Sequence, residues 1–129
     1  MDSTIQTDKK AYKISSKGFF LTYPQCPAPK DTVRDMLESK GSIVKGLIGQ
    51  EKHQDGELHI HAYVKYLNQI STRNCKYFDI TWEDKTYHGK YEPAKSAIGS
   101  IKYISKDDKE PMELGDMDYK QETAAKQSK

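Results

Sequence analysis

Two runs of strand-forming residues, SIVKGLIGQEKH and ELHIHAYVKY, flank Gln54-Asp55-Gly56, and this juxtaposition constrains the chain more than any other feature. Asp-Gly between such runs is a strong hairpin signal and predicts two antiparallel strands over residues 42–66. In the second run Leu58, Ile60, Ala62 and Val64 alternate with Glu57, His59, His61 and Tyr63. The first set faces a core and the second leaves from the opposite side. His59 and His61 then share a face about 7 Å apart along the backbone, which lets them converge on one metal. Taken alone, a pair of solvated histidines explains the pattern equally well. Because both imidazoles point away from the core, each is expected to be replaceable without loss of the fold.

Turn length decides what stands opposite them. A two-residue turn at Asp55-Gly56 pairs Lys52 with His59 and turns Glu51 into the core, where an unpaired carboxylate is costly. A three-residue loop, Gln54-Asp55-Gly56, with Gly56 in the left-handed region sets Glu51 opposite His59 instead. This second register is favoured, and it predicts a Glu/His/His site with an open side for a phosphate oxygen. Mixed carboxylate and imidazole donors do not name the metal, but phosphate chemistry favours Mg²⁺ or Mn²⁺.

The whole 129-residue chain reads as one domain. GFFLTY (residues 18–23) is a strand closed by Pro24, and QCPAP is a turn. A helix opens at Lys30 or Asp31 and runs to about Lys40, with Gly41 as its stop. KYFDI and TYHGKY form two short strands around a polar WEDK turn, and AKSAIGSIKYISKDD after Pro93 is an amphipathic helix. The order β-α-β-β-β-β-α predicts an α+β fold: a central antiparallel β-sheet with helices packed on one face, an RRM-like sandwich. Residues 1–15 read as a flexible basic arm, 16–115 as the folded domain, and 116–129 as a polar tail or the start of a linker.

Composition narrows the function classes. Hydrophobic residues at 35% and charged residues at 31% place the chain among soluble globular proteins. No apolar run approaches the roughly 18 residues of a membrane span, so no membrane partner is expected. Cys26 and Cys75 form no CxxC pair and suit a reducing compartment as small packed hydrophobes. The net charge of +2 and pI of 8.4 fall short of a dedicated duplex binder. Clusters at Lys9, Lys10, Lys13 and Lys17, and at Lys90, Lys95, Lys102, Lys106 and Lys109, permit a nucleic acid partner without demanding one.

In the second helix Ala94, Ala97, Ile98, Ile101 and Ile104 form one stripe, and Tyr103 lies about 160° from its centre. Lys106 and Asp107 follow at i+3 and i+4 and share its face. A tyrosine off the apolar stripe beside a lysine and an aspartate suits chemistry better than packing, although an ordinary surface tyrosine fits the helix alone. Taken together, FLTYP (Phe20 to Pro24), HIH (His59 to His61) and YISKD (Tyr103 to Asp107) resemble the three rolling-circle motifs of HUH endonucleases. They resemble above all the replication initiator (Rep) proteins of geminivirus-like circular single-stranded DNA viruses and related plasmids. The likeness covers residues 17–115 and includes KYFDI…YHGKYEPAKS, similar to the geminivirus-type Rep sequence but with YHGKYEPA departing from its FHPN wording.

The resemblance implies an HUH endonuclease fold and a role for each motif. Glu51, His59 and His61 would bind a divalent metal, with Asp107 ordering that site or Lys106. Tyr103 would be the nucleophile, and Lys106 would position phosphate or compensate charge. Phe20, Leu21, Thr22, Tyr23, Pro24, Lys90, Lys95 and Lys102 would serve DNA binding. The implied enzyme is a sequence-specific endonuclease and strand-joining enzyme for single-stranded DNA at a replication origin. It initiates rolling-circle replication through a 5′-phosphotyrosine, in a host nucleus if viral or a bacterial cytoplasm if plasmid-encoded. The full-length protein would be able to self-associate. No GxxxxGK[ST] loop occurs here, so the helicase of full-length relatives is expected outside this segment. Two other classes compete with this reading: a non-catalytic RRM-like nucleic-acid binder, and a phosphoesterase that uses metal-bound water.

Overall fold

Antiparallel pairing organises the chain, as the central hairpin requires. A computed structural model describes residues 12–127. Their elements run β1 (Ile14–Tyr23), α1 (Lys30–Glu38), β2 (Ile43–Lys52), β3 (Leu58–Thr72), β4 (Ile80–Trp82), β5 (Lys85–Tyr87), β6 (Lys90–Pro93), α2 (Ala97–Asp107), β7 (Met112–Gly115) and α3 (Tyr119–Gln127). Five strands form one sheet in the order β6-β1-β3-β2-β7, every neighbour antiparallel, and β4-β5 form a separate hairpin. The α+β architecture with helices against a central antiparallel sheet is the one expected.

Several boundaries differ from the sequence reading. The expected arm lies outside the described residues up to residue 11, but its end is strand: Ile14 and Ser15 pair with Thr72 and Ser71, and Ser16 continues the ladder opposite Ile70. Each segment is too polar or too short to declare itself, and the ladder between them makes both extended. KYFDI is mostly turn, with strand beginning only at Ile80, and TYHGKY is split between β5 and β6 by His88-Gly89. The residues read as a tail include α3, held by an ion pair from Lys45 to Glu122 at 3.0 Å. Among the described residues, no helix is long and apolar enough to cross a membrane.

The helices cover both faces of the sheet, not one. Phe19, Leu21 and Tyr23 of β1 join Ile60, Ala62, Val64 and Tyr66 of β3 in a core closed by Val33 and Leu37 of α1. On the reverse face Leu47 of β2 stands directly opposite Tyr63 of β3, and Ile101 and Ile104 of α2 pack over them with Met117. Strand alternation left this second apolar patch, which water would otherwise cover. Burying Leu47, Ile101 or Ile104 stabilises by about 1.5–3 kcal/mol each. This second helix layer sets α2 beside the histidine face of the hairpin.

Candidate active site

The hairpin closes with the three-residue loop. Glu51 pairs with His59 and Lys52 with Leu58, while the His53 N–H donates to Glu57 O at 2.9 Å. Gly56 donates to His53 O at 2.9 Å and has φ +86°, a conformation that side-chain-bearing residues rarely adopt. Glu51 and His53 therefore leave β2 on the face from which His59 and His61 leave β3. The His53 ring stacks on His59, with centroids 3.5 Å apart and 10° between planes. The Glu51 carboxylate lies against His53 Nε2, at ion-pair range but outside hydrogen-bond geometry.

His61 turns the other way, towards α2. Its ring stacks with Phe20 at 5.9 Å and meets the Tyr103 ring edge-on at 5.0 Å. It is only 9% exposed. Burial lowers its pKa from the ordinary histidine value; nearby Asp107 opposes this, and His53 and His59 add to it. Tyr103 is 45% exposed, as its displacement from the apolar stripe predicts, and Lys106 Nζ lies 5.6 Å from the centre of its ring. Ser96 caps α2 by accepting from the Gly99 N–H at 2.9 Å.

Two residues that the sequence reading passed over hold α2 in place. Gly49 stands opposite His61, and a Cβ there would meet Ile104 Cγ2 at 2.5 Å and Asp108 Cβ at 3.4 Å. Only a bare backbone lets the helix approach this closely. Asp108 then pins the end of α2 to β2: its Oδ2 accepts from the Gln50 N–H at 2.8 Å and lies 2.6 Å from Lys30 Nζ. Together these contacts put Tyr103 next to the HIH strand.

Residues 12–120 match the family described as the geminivirus Rep catalytic domain. The chain belongs to that family. It is 32% identical over 104 residues to the replication-associated protein of Cabbage leaf curl virus (isolate Jamaica), covering 76% of this chain and 30% of that protein. With replication-associated protein A of Miscanthus streak virus (isolate 91) it shares 32% over 106 residues, 80% of this chain and 47% of that protein. With replication-associated protein A of Tobacco yellow dwarf virus (strain Australia) it shares 34% over 101 residues, 76% of this chain and 33% of that protein. The chain thus spans less than half the length of each of these relatives.

In this Rep catalytic domain the expected site residues do not all share one place. Glu51, His59, His61, Tyr103, Lys106 and Asp107 gather around the hairpin face and the end of α2. Phe20 and Thr22 share that side of the sheet, Thr22 standing between His61 and Lys90 in the ladder. Lys95 lines a cleft of about 360 Å³ with Phe20, Pro93, Ser96 and Tyr103. Pro24, Lys90 and Lys102 are exposed. Leu21 and Tyr23 are not surface residues: both are fully buried on the α1 side, and the Tyr23 hydroxyl donates to Phe78 O at 2.6 Å. Alternation along β1 sends these two inward, so their side chains shape the core instead of meeting DNA.

The expectation that either histidine can be removed without cost to the fold holds poorly for His61, which α2 and Phe20 enclose. Among the described residues no three His, Cys, Asp or Glu side chains already stand in a metal-binding cluster. The donors nonetheless suit a divalent cation. The Nε2 atoms of His53 and His59 are buried without a hydrogen-bond partner, beside the Glu51 carboxylate. Such orphaned nitrogens are costly unless something binds them.

Two predictions arise from the docking of α2. Gly49→Ala is expected to lower stability by about 1–3 kcal/mol through overpacking against Ile104 and to displace Tyr103; urea unfolding and a nicking assay check both effects. Asp108 also makes stability pH-dependent. Burial raises its carboxyl pKa, but hydrogen bonds from Lys30 and from the N–H groups of Gln50 and Glu110 outweigh this and hold it below the usual value. Its contribution is therefore complete above the unfolded aspartate value of about 3.9 and is lost as pH falls through the folded value. Asp108→Ala is expected to cost about 1–3 kcal/mol at neutral pH, with the gap to wild type closing in acid. Urea unfolding across that pH range measures it.

Proposed function

We propose that this domain cuts and rejoins single-stranded DNA at a replication origin, initiating rolling-circle replication through a covalent bond between Tyr103 and the 5′ side of the nick. The observation that carries this reading is the exposed Tyr103 ring held edge-on against His61, with Lys106 over its face. The Tyr103 oxygen attacks the scissile phosphorus, the bond from phosphorus to the 3′ oxygen breaks, and the 3′ end leaves as a hydroxyl after taking a proton. One phosphodiester replaces another, so the step needs no nucleotide cofactor and runs backwards to join strands. A free tyrosine is mostly protonated at neutral pH, and the Lys106 ammonium favours the phenolate as it forms. Lys106 also meets the charge gathering on the phosphate.

Glu51, His59 and His61, with Asp107 beside them, are the residues that would hold Mg²⁺ or Mn²⁺. A divalent cation bound there supplies charge stabilisation at a non-bridging phosphate oxygen. Phe20 offers a stacking surface next to the nucleophile, and Lys90, Lys95 and Lys102 can track phosphates along the strand. The relatives named above come from viruses, which favours a host-cell nucleus as the site of action over a bacterial cytoplasm. Incubating the protein with a single-stranded origin oligonucleotide and Mn²⁺, followed by a denaturing gel, tests the proposal. A protein–DNA adduct that survives denaturation is the expected result, and its absence under conditions that give cleavage overturns it.

A further inference from the structure

We infer that His53 donates an imidazole nitrogen to the same divalent cation as Glu51 and His59, as an additional ligand of the site. This inference rests on the metal-dependent reading above. It begins from the turn: the three-residue loop leaves His53 as the last residue of β2's approach, paired with Glu57 and two residues from Glu51. Alternation then puts its side chain on the Glu51, His59 and His61 face.

Packing alone does not account for what the side chain does there. Its ring lies parallel to His59 with centroids 3.5 Å apart, an ordinary stacking contact, but stacking leaves the ring nitrogens without partners. The Nε2 atoms of both rings are shielded from water and hydrogen-bonded to nothing, with the Glu51 carboxylate set against the His53 nitrogen. Two imidazole nitrogens shielded from water, with a carboxylate set against one of them, form a donor set that a cation can use. His61 faces Phe20 and Tyr103, so His53 fills the side of Glu51 and His59 that His61 leaves open. A nitrogen-rich donor set discriminates between metals: imidazole suits Mn²⁺ better than Mg²⁺, which prefers oxygen ligands and retained water.

The test titrates Mn²⁺ and Mg²⁺ by calorimetry into the full chain as wild type, His53→Ala, His53→Phe and His59→Ala, with circular dichroism confirming each fold. Phenylalanine keeps the ring stacked on His59 and removes only the nitrogens. Both His53 variants are expected to lose roughly tenfold or more in Mn²⁺ affinity, with a smaller loss for Mg²⁺. Pulsed EPR of bound Mn²⁺ is expected to show one imidazole nitrogen coupling fewer in His53→Phe than in the wild type. Wild-type Mn²⁺ affinity in His53→Phe, or an unchanged number of couplings in that variant, overturns the inference and leaves His53 as a stacking partner. His59→Ala separates the two levels of the argument. If it loses Mn²⁺ while His53→Phe keeps it, only the His53 assignment fails; if both bind like wild type, the metal reading at this hairpin fails with it.

Discussion

Tyr103→Phe is expected to bind single-stranded DNA about as well as the wild type while losing nicking and joining by roughly 10⁴-fold or more. The substitution isolates the hydroxyl. The Phe20 and His61 rings contact the aromatic ring, and Lys106 lies over its face, so all three contacts survive the change. At a position 45% exposed the stability change should stay within about 0.5 kcal/mol. Peptide mass spectrometry of the wild-type adduct should place the nucleotide on Tyr103, and mapping to Tyr91 or Tyr119 would refute the assignment. Tyr91 is an unpromising nucleophile in any case: it is buried, donates to Asp79 at 2.7 Å, and burial first, then that bond, pushes its pKa up. Cleavage retained by Tyr103→Phe would instead favour attack by metal-bound water and the phosphoesterase class.

Replacing either histidine of the HIH strand by alanine is expected to cut nicking by roughly 10²–10³-fold or more, but with different consequences for the fold. His59 sits at the hairpin face with His53 stacked on it, and His59→Ala should unfold within about 0.5 kcal/mol of wild type. His61 fills the space between Phe20, Tyr103 and the backbone at Gly49. His61→Ala should therefore also lower stability by about 1–3 kcal/mol and loosen the tyrosine it supports. Urea unfolding and a nicking assay with Mn²⁺ on each variant distinguish the cases. Full nicking activity in either one would refute a shared site.

The functional machinery was legible in the sequence where short-range geometry decides it. A strand alternates with period two, so the common face of His59 and His61 follows from position alone; the same alternation parts Phe20 and Thr22 from Leu21 and Tyr23, which the motif alone had grouped together as DNA-binding. The cost of burying a carboxylate selected the three-residue turn, and Gly56 at φ +86° with Glu51 opposite His59 is the register it demanded. The same holds for Tyr103, whose angle from the apolar stripe already implied exposure. His53 carried the same alternation signal beside Glu51.

What the sequence left open depends on residues far apart in the chain. Ile14–Ser16 becomes strand only because Ile70–Thr72 lies beside it, and Met112–Gly115 only because β2 has a free edge to pair with. Periodicity reveals that a strand has two apolar faces but not which helix covers each, so α1 and α2 fell on opposite sides where one side was expected. Asp108 looks like an ordinary helix-end aspartate until the backbone of Gln50, 58 residues away, donates to it. Local sequence determined which groups share a face. Tertiary contact alone decided how closely α2 approaches β2, how deeply His61 is buried, and so where the Tyr103 ring stands.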